Sequence, residues 1–474
     1  MTGETGHEKK KRWTAIILAA GKGTRMASPL PKVLHPVAGK PMVLNVMEAC
    51  QKAGITDLRI VVGHGLHLVK SVIEPFGGQI HIQAQQLGTA DAVRSAQPES
   101  IDDNVIILNG DHPLIEAQDL IGFIQDFEKR KLDLGVVTTV LKNPREFGRV
   151  VRHQGTLRAI VEAKDASSDT LKIREINTGI YLTKGDVLSE FLPLIKNHNS
   201  KKEFYLTDLI SVCLDNQLRV DGIPGNKKVA MGVNNQAELA HASKLLYRRT
   251  ARRLMDSGVL MIDPSTVYIE ESVEVAPGAV IYPDVFLRGK TKVGSFTAIE
   301  PHCYIVDSVI GESVQLRASC YLEKAKIADR ASVGPFARLR PETEIGVDAH
   351  VGNFVEMKKT KFGKGSKAGH LTYLGDAEIG ENVNVGCGTI TCNYATDKKK
   401  YKTIIGNNVF VGSDTQFVAP ITVGDNAVIG SGSTITKDVP ARALAVARGK
   451  QFVKEDYVKV ENSSSSAVEP EKVK

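Results

Sequence analysis

Residues 327–352 read IADRASVGPFARLRPETEIGVDAHVG, and every sixth residue from the first is aliphatic. These positions are Ile327, Val333, Leu339, Ile345 and Val351. A hexapeptide period is typical of a β-helix, in which six residues form one flat face of a coil and three faces complete a turn. This stretch therefore predicts a parallel β-helix.

The same period extends in both directions, with slips of one residue, and glycine often follows the aliphatic position. The further positions are Ile269, Val275, Ile281, Leu287, Val293, Ile299, Ile305, Ile310, Leu316, Leu322, Phe362, Ala368, Leu374, Ile379, Val385, Ile405, Val411, Phe417, Val423, Ile429 and Ile435. The period breaks over residues 391–403, which predicts an insertion. Insertions in solenoids often gather on the binding face, so this one is a candidate part of a site.

The N-terminal half has a different pattern, in which apolar strands alternate with amphipathic helices. The predicted strands are 13–20, 58–62, 104–108 and 135–140, and two of the predicted helices are 41–53 and 117–130. This alternation predicts a Rossmann-like α/β domain with a parallel sheet covered on both faces. Ligands bind such sheets at the carboxyl ends of the strands, so we expect a site at residues 21–25 and 109–111.

These patterns divide the chain into domains. Apolar residues at helical spacing predict one long helix over 236–257, which Gly258 ends. We expect a disordered tail over 1–12, the α/β domain over 13–235, a linker helix over 236–258, the β-helix over 259–455 and a second disordered tail over 456–474.

The composition excludes several classes of protein. Hydrophobic residues make up 42% and charged residues 24% of the 474 residues, which is the balance of a globular chain. No apolar run approaches the ~20 residues that span a bilayer, and the polar N-terminus is not a secretory signal. Six scattered cysteines without a CxxC pair predict reduced thiols and a cytoplasmic protein.

The net charge of +7 is mild and lacks the aromatic-interleaved basic stripe of a nucleic-acid surface. We therefore expect neither a nucleic-acid nor a membrane partner. Lysines do cluster over 356–367 and 397–402. Such clusters are either solvated faces or small sites for phosphates.

A glycine-rich loop, LAAGKGTRM over residues 18–26, follows the first predicted strand and precedes Pro31 and Lys32. Glycines after a strand allow backbone N–H groups to approach a phosphate chain closely. Lys22, Arg25 and Lys32 supply positive charge for a polyphosphate. The loop matches neither a Walker A motif nor a GxGxxG motif.

An aspartate follows the third predicted strand, in the sequence LNGDHP over residues 108–113. A lone aspartate at a strand end is more often a helix cap or turn residue than a metal ligand. Asp111, however, opens onto the same sheet edge as the glycine-rich loop, where a carboxylate suits Mg²⁺ bound to phosphates. Asn234 can supply a second oxygen ligand, although an Asn-Asn pair by itself indicates a turn.

A third group of polar residues belongs to the predicted β-helix. A lone histidine is more often structural than catalytic, but His370 lies near Tyr373 and several lysines in the sequence. A neutral imidazole can accept a proton from an amine at pH 7. Arg340 and Lys358 can hold a sugar phosphate, and the alternative for both is ordinary surface charge.

Over about residues 13–450, these motifs and their order resemble the GlmU family of bifunctional N-acetylglucosamine-1-phosphate uridylyltransferases and glucosamine-1-phosphate N-acetyltransferases. The resemblance implies a nucleotidyltransferase domain followed by a left-handed parallel β-helix, and both activities. It implies Mg²⁺ as cofactor, and UTP, sugar phosphates and acetyl-CoA as substrates. It further implies a homotrimer with acetyl sites between subunits, and a product used in bacterial peptidoglycan and lipopolysaccharide synthesis.

The resemblance also implies roles for residues of the first domain. Arg25 and Lys32 match the cations around the triphosphate, and Gln83 matches the residue that reads uracil. Asp111 and Asn234 match the Mg²⁺ ligands. The other matching nucleotide and amino-sugar positions are Leu18, Ala19, Ala20, Gly21, Gly88, Thr89, Gly148, Glu162 and Asn177.

In the β-helix, His370 matches the general base of the family. The positions that match the glucosamine 1-phosphate contacts are Arg340, Lys358, Tyr373 and Asn384. The positions that match the acetyl-CoA contacts are Cys387, Asn393, Tyr394, Ser413, Ser431 and Arg448.

Three positions depart from the family pattern. Asn109 stands where many members have an aromatic residue before Gly-Asp, which affects a nucleotide contact but leaves the metal carboxylate intact. Cys387 and Ser431 stand where alanine is common. A nucleophilic role for Cys387 is disfavoured, because direct attack of the amine on the thioester needs no covalent step.

Two alternative functions follow from the same residues. One is a single-activity sugar-1-phosphate nucleotidyltransferase with a structural β-helix, which the residues around His370 disfavour. The other is a non-catalytic regulatory subunit, which the set of Arg25, Lys32, Asp111 and Asn234 disfavours.

Overall fold

The computed structural model describes residues 12–199 and 201–458, and the chain divides into two compact units, Met1–Lys292 and Val293–Lys474. The expected disordered tails lie outside the described residues, except at Arg12 and at 456–458. The division between the units falls inside the hexapeptide region, so the domain boundaries expected from the sequence stay a prediction.

The first unit begins with alternating strands and helices, as expected. The strands are β1 (Trp13–Ala19), β2 (Pro36–Val37), β3 (Lys40–Pro41), β4 (Asp57–Val62), β5 (Gln79–Ile82), β6 (Asn104–Asn109), β7 (Leu134–Val140), β8 (Arg149–His153), β9 (Thr156–Val161), β10 (Glu175–Lys184) and β11 (Val220–Pro224). The helices are α1 (Met42–Lys52), α2 (Leu66–Ile73), α3 (Thr89–Ser95), α4 (Ala117–Lys129), α5 (Ser168–Leu171), α6 (Gly185–Phe191), α7 (Asp208–Asp215) and α8 (Gln236–Asp256). Short 3-10 helices lie at Thr24–Met26, Lys32–Leu34, Glu74–Phe76, Pro98–Ser100 and Leu192–Leu194.

The main sheet has the strand order β11-β7-β10-β6-β1-β4-β5. Its neighbours are parallel except around β10, which runs antiparallel to both β6 and β7. The expectation of a parallel sheet is therefore wrong at β10, and the sheet is mixed. The first residue of β10, Glu175, pairs with the last residue of β7, Val140. No crossover helix returns the chain to the start of β7 before β10 begins. The strand β10 must therefore run in the direction opposite to β7.

Helices cover both faces of this sheet. Ile16 and Ile17 of β1 are both fully buried, but they belong to different hydrophobic cores because successive side chains of a strand point to opposite faces. One core includes residues of α1, α2 and α4, and the other includes residues of α3, α6 and α7. Burial on both faces explains why the strands are continuous apolar runs.

The predicted linker helix is present as α8. Its first turn is capped by Asn235, whose side-chain oxygen accepts a hydrogen bond of 2.9 Å from the Glu238 backbone N–H. Among the residues that the structure describes, no helix combines the length and apolar character needed to cross a membrane.

The hexapeptide region forms short strands. In the first unit these are β12 (Leu260–Met261), β13 (Tyr268–Ile269), β14 (Glu274–Val275), β15 (Val280–Ile281) and β16 (Phe286–Arg288), and β17 (Lys292–Val293) lies where that unit ends in sequence. In the second unit they are β18 (Ala298–Ile299), β19 (Tyr304–Val306), β20 (Val309–Ile310), β21 (Gln315–Leu316), β22 (Tyr321–Glu323), β23 (Lys326–Ile327), β24 (Ser332–Val333), β25 (Arg338–Leu339), β26 (Glu344–Ile345), β27 (His350–Phe362), β28 (Lys367–Ile379), β29 (Asn384–Val385), β30 (Ile390–Cys392), β31 (Thr403–Ile405), β32 (Phe410–Val411), β33 (Gln416–Val418), β34 (Ile421–Val423), β35 (Val428–Ile429), β36 (Thr434–Ile435) and β37 (Leu444–Ala445).

Within each unit, most of these strands pair in parallel with the third strand that follows. Leu260 of β12 pairs with Val280 of β15, and Ala298 of β18 pairs with Gln315 of β21. Three strands therefore complete one coil. Every aliphatic position of the hexapeptide period is buried. The expected parallel β-helix is confirmed, with the aliphatic side chains stacked inside it.

Candidate functional sites

A cleft of about 340 Å³ opens at the carboxyl ends of β1 and β6 in the first unit. Its lining residues are Leu18, Ala19, Ala20, Gly21, Lys32, Val33, Gln83, Gln86, Gly88, Thr89, Ala92, Asn109, Asp111 and Glu203. Most of the residues expected at the nucleotide site are thus brought together. Arg25, Gly148, Glu162, Asn177 and Asn234 do not line this cleft, and their positions are described below.

Gly88 forms a tight part of the cleft wall. Its φ of +124° is in a region that favours glycine, and a Cβ atom there would collide with the backbone oxygen of Phe204. The next residue, Thr89, begins α3 and accepts a hydrogen bond of 2.9 Å from the Leu206 backbone N–H. The loop before α3 therefore packs closely against the segment 204–206.

Gln83 is buried, and neighbouring groups fix its side chain. Its Nε2 atom donates to the Gly88 carbonyl at 3.1 Å and to the Asp91 carboxylate at 2.8 Å. Two hydrogen bonds to one amide nitrogen hold the amide plane in one orientation. This rigidity fits the expected role of Gln83 in reading the edge of a base.

Two cations and their partners form a connected network beside the cleft. The Lys32 ammonium contacts the Asp111 carboxylate and lies 2.9 Å from Asn234 Oδ1. Arg25 donates to the same Asn234 oxygen at 3.0 Å and to Glu146 Oε2 at 3.0 Å. The four residues that the resemblance assigns to the triphosphate and the metal therefore form one chain of contacts, in the order Asp111, Lys32, Asn234 and Arg25.

Asp111 is almost enclosed, and its charge is stabilised by its neighbours. Burial by itself favours the neutral form, but the Lys32 ammonium and His112 outweigh burial and hold the pKa of this carboxyl below its usual value. His112 Nε2 lies 3.6 Å from Asp111 Oδ1, while its Nδ1 lies 2.9 Å from the Val229 carbonyl. Asp111 is therefore held ionised.

The Asp111 and Asn234 oxygens fit a divalent cation. Both are hard oxygen ligands, and both already converge on one positively charged group, the Lys32 ammonium. Within 12–199 and 201–458, no group of three or more His, Cys, Asp or Glu side chains is placed to hold a metal. A site made from Asp111 and Asn234 would need phosphate or water oxygens to complete its coordination, as is usual for Mg²⁺.

The expected amino-sugar residues lie near each other beside β8 and β10. The Asn177 backbone N–H donates to the Gly148 carbonyl at 3.0 Å. A Cβ atom on Gly148 would lie 3.4 Å from Glu162 Oε1. The Asn177 side chain donates to the Tyr181 hydroxyl at 2.7 Å. The structure thus brings Gly148, Glu162 and Asn177 into one cluster.

Two residues of this cluster were missed from the sequence. The Thr207 hydroxyl is hydrogen-bonded to Glu162, and Asp208 adds negative charge nearby. Burial, followed by the charge of Asp165, raises the pKa of Glu162. The signal available was the polar and aromatic run KEFYLTD over 202–208, which ends at the first residue of α7.

The histidine expected as general base lies on an edge of the β-helix in the second unit. Asn353 and His370 are in register on neighbouring coils, and Cys387 follows one coil later, where the Gly388 N–H donates to the Leu371 carbonyl at 3.1 Å. His370 Nδ1 lies 2.8 Å from Asn353 Oδ1. With the amide oxygen accepting, Nδ1 carries the proton and Nε2 is the basic nitrogen. Asn353 was not identified from the sequence.

The residues expected to bind acetyl-CoA continue along the same edge. Cys387, Ser413 and Ser431 follow one another on successive coils, since the Gly432 N–H donates to the Ser413 carbonyl at 2.8 Å. Arg448 Nη1 donates to the Ser431 carbonyl at 2.8 Å. These four residues therefore form a continuous line that begins at the histidine.

Asn393 and Tyr394 begin the insertion that interrupts the hexapeptide period. Asn393 is buried, and its side chain donates to the Asp376 carboxylate rather than pointing away from the β-helix. Tyr394 is 63% exposed. In a single chain, therefore, the side chain of Tyr394 is accessible to a large ligand and that of Asn393 is not.

Three cations cluster where a sugar phosphate is expected. Arg340 and Lys358 lie on neighbouring coils, and Arg340 Nη1 donates to Glu356 Oε1 at 2.8 Å. The nearby ammonium of Lys400, followed by Arg340, lowers the pKa of Lys358. Lys400 belongs to the insertion and was missed, although the KKK run at 398–400 was visible. Cations crowded in this way favour binding of an anion.

Tyr373 and Asn384 lie on opposite sides of the edge that carries His370. Asn384 pairs with Lys367, which precedes His370 on β28. Tyr373 follows His370 on the same strand and pairs with Ile390. The Tyr373 hydroxyl packs over Gly375, where a Cβ atom would collide with it. The expected sugar-phosphate residues are therefore divided between two faces of the β-helix.

Comparisons with known proteins agree with this arrangement. The MobA-like NTP transferase domain matches residues 15–170, and the bacterial transferase hexapeptide (six repeats) matches residues 402–437. A protein of Bdellovibrio bacteriovorus named bifunctional protein GlmU is 68% identical, covering 94% of this chain and 97% of the relative. Proteins of the same name from Carboxydothermus hydrogenoformans and Geotalea uraniireducens are 48% and 43% identical, covering 94% of this chain and 99% and 98% of the relatives.

These matches confirm the resemblance, the fold class and the expectation of two activities, and they do not favour the single-activity alternative. They extend over nearly the whole chain and include both the cleft and the β-helix edge. The chain therefore belongs to the GlmU family of bifunctional uridylyltransferase and acetyltransferase enzymes.

Proposed function

We propose that the first unit transfers UMP from UTP to N-acetylglucosamine 1-phosphate, and that the second acetylates glucosamine 1-phosphate with acetyl-CoA. One observation carries this proposal: each unit contains its own polar site. The contact of Lys32 with Asp111 and Asn234 marks the first, and the contact of His370 with Asn353 marks the second. The proposal keeps the expected domains at 13–235, 236–258 and 259–455, and all the expected acetyltransferase residues of the last domain lie in the second unit.

In the first site, a phosphate oxygen of the sugar attacks the α-phosphorus of UTP, and pyrophosphate leaves. Such a transfer requires in-line positioning and charge neutralisation rather than a covalent residue. Arg25 and Lys32 supply positive charge beside the cleft. Asp111 and Asn234 would hold Mg²⁺, which when bound neutralises phosphate charge.

In the second site, the amine of glucosamine 1-phosphate attacks the thioester carbonyl and coenzyme A leaves. His370 Nε2 accepts the proton from the amine, while Asn353 holds the ring through Nδ1. Arg340, Lys358 and Lys400 bind the phosphate. Acetyl-CoA binds along the line of Cys387, Ser413, Ser431 and Arg448, with Asn393 and Tyr394 of the insertion beside it.

We also propose that the chain acts as a homotrimer. Phe336, Phe354 and Leu371 are each more than half exposed, and the two phenylalanine rings stack with centroids 5.3 Å apart. This stripe directly adjoins His370. A second copy of the chain would bury it and would add residues to an acetyl site that one chain divides between two faces.

A cytoplasmic location and a role in peptidoglycan and lipopolysaccharide synthesis complete the proposal. All six cysteines are free thiols, which supports a reducing compartment. The cell-wall role follows from the product, UDP-N-acetylglucosamine, in the family that the chain belongs to.

The test is a pair of variants assayed for both reactions. His370→Ala should lower acetyl transfer, followed as free thiol, by about 100-fold or more and leave uridylyl transfer unchanged. Asp111→Asn should abolish pyrophosphate release and leave thiol release unchanged. If either variant impaired both reactions equally in a folded protein, the assignment of separate sites would be wrong.

A further inference from the structure

Lys32 sits between the two oxygens that are proposed to hold Mg²⁺. Its ammonium contacts Asp111 Oδ2 and lies 2.9 Å from Asn234 Oδ1. The side chains of Lys32 and Asp111 are only 15% and 19% exposed, so solvent screens this ion pair weakly. Arg25 makes a further contact, of 3.0 Å, with the same Asn234 oxygen.

We infer that in the nucleotide-free enzyme the Lys32 ammonium occupies the cation position of the cleft, and that it must leave before a divalent cation can be held there. This inference rests on the proposed Mg²⁺ site. Asp111 and Asn234 cannot bind a divalent ion at the point where they already bind an ammonium, because two cations at such short range repel each other strongly.

The contacts imply an exchange of partners when the nucleotide binds. A triphosphate would attract Lys32 and Arg25, and their departure would free Asp111 and Asn234 for the metal. Binding of the metal and of the polyphosphate are therefore positively coupled, and linkage requires the coupling to be equal in both directions. Lys32 therefore controls access of the metal to Asp111 and Asn234, and it also supplies a cation for the phosphates.

The local backbone fits a movement of the Lys32 side chain alone. Lys32 begins the 3-10 helix Lys32–Leu34, and a Cβ atom on Gly23 would lie 2.6 Å from Lys32 Cβ. The glycine-rich loop therefore packs against the base of this side chain. The long flexible stem lets the ammonium relocate without a shift of the backbone.

Mn²⁺ binding to the full-length, nucleotide-free protein tests the inference, with free Mn²⁺ measured by electron paramagnetic resonance. We expect Lys32→Met to bind Mn²⁺ about tenfold more tightly than the unmodified protein, although the variant has lost a residue of the active site. Lys22→Met is the matched control. Lys22 is an exposed lysine of the neighbouring glycine-rich loop, 18–26, so its loss should change the affinity by about twofold or less.

The possible results separate the inference from the proposed metal site. Equal Mn²⁺ affinity of the unmodified protein and Lys32→Met would overturn the inference and leave the metal site standing. If Lys32→Met and Lys22→Met gained Mn²⁺ affinity equally, the gain would come from the loss of a long-range positive charge. This result would also overturn the inference. If no form of the protein bound Mn²⁺, both the inference and the metal site would fail.

A second measurement covers the case in which Lys32→Met does not fold. Asn234→Ala removes a partner of Lys32 and Arg25 without changing the net charge. In the presence of EDTA, this variant should bind pyrophosphate about threefold more tightly by calorimetry, because each cation loses one of its two partners and keeps only Asp111 or Glu146. Unchanged or weaker binding would overturn the inference.

Discussion

Gly88 lies where the wall of the cleft proposed to bind the nucleotide leaves no room for a side chain. Its φ is +124°, and a Cβ atom would meet the Phe204 carbonyl oxygen. We expect Gly88→Ala to lower uridylyl transfer by at least about tenfold, because the loop before α3 must move. The acetyl-transfer rate should not change. Initial rates of pyrophosphate release and thiol release, measured on the same sample, check this prediction.

Gly77→Ala is the matched control for Gly88→Ala. Gly77 also has a left-handed φ, of +78°, but a Cβ atom there would have no neighbour within 4 Å. It should therefore report backbone strain without the collision. A similar loss of uridylyl transfer in both variants would show that the collision with Phe204 is not the cause.

Lys400 is the residue of the insertion that reaches the expected sugar-phosphate site. Its ammonium lies close enough to Lys358 to lower the pKa of that lysine. We expect Lys400→Ala to raise the KM for glucosamine 1-phosphate about tenfold, because a charged contact to the phosphate is lost. The KM for UTP should not change. Steady-state kinetics of both reactions measure the effect.

The neighbouring Lys399→Ala provides the control, because it removes the same charge from the same run of lysines. Its KM for glucosamine 1-phosphate should change by about twofold or less. Equal effects of the two substitutions would mean that the whole basic run acts as a diffuse charge, and that Lys400 has no specific contact.

At the scale of secondary-structure elements, an ionic network joins β8, β10 and β11 next to the amino-sugar residues. Arg152 of β8 makes two hydrogen bonds with Glu175 of β10, of 2.8 and 2.7 Å, and one of 3.1 Å with Asp221 of β11. Burial opposes ionisation of Glu175, but hydrogen bonds from Arg152 and Thr138 outweigh it and lower its pKa. The network therefore ties the β8–β9 hairpin to the sheet.

We expect Glu175→Gln to lower the free energy of unfolding of the first unit by about 2 kcal/mol at pH 7, because charge-assisted bonds become neutral ones. A carboxyl group whose pKa is lower in the folded protein stabilises the fold at pH values above its unfolded-state pKa of about 4.3. This stabilisation is lost as the pH falls through the pKa of the folded state. The difference between variant and unmodified protein should therefore shrink below about pH 4. Urea unfolding at several pH values, followed by fluorescence of the single tryptophan, Trp13, measures it.

Glu274→Gln is the control at this scale. Glu274 pairs with Lys292 at 2.9 Å in the same unit, but both side chains are more than half exposed. Its loss should cost less than about 0.5 kcal/mol. A difference between Glu175→Gln and the unmodified protein that stayed constant down to pH 4 would contradict the assigned role of the Glu175 charge.

At the scale of the whole molecule, the exposed stripe of Phe336, Phe354 and Leu371 predicts self-association. We expect Phe354→Asp to dissociate the proposed homotrimer, because a charge would have to be buried in the interface. Acetyl transfer should fall at least about tenfold, since the sugar-phosphate residues are divided between two faces of one chain. Uridylyl transfer should persist. Analytical ultracentrifugation and the two activity assays measure these effects.

Phe76→Asp serves as the control for this substitution. Phe76 is a similarly exposed phenylalanine, at 45%, but it lies in the first unit on the 3-10 helix Glu74–Phe76. It should leave both the oligomeric state and acetyl transfer unchanged. An unmodified protein that sedimented as a monomer would refute the homotrimer, whatever the variants did.

Residues that act through contacts between distant parts of the chain could not be found from the sequence. Asn353 is 17 positions from His370, and only the stacking of coils places the amide oxygen against the imidazole. Lys400 reaches Lys358 because the insertion folds back, and Thr207 reaches Glu162 from the start of α7. The KKK run at 398–400 and the run KEFYLTD over 202–208 draw attention to Lys400 and Thr207, but neither run shows which residue each of them contacts.

The sequence by itself determined the β-helix, four strands and two helices of the first unit and the long helix α8, and it pointed to the two candidate sites. These features depend on local periodicity and on the loops after strands, and burial of each aliphatic position is required whatever its distant neighbours are. Only the tertiary structure decided the reversed direction of β10, the partner of His370 and the position of Lys32 between Asp111 and Asn234. Such contacts join residues far apart in the chain, and their geometry depends on how whole elements pack.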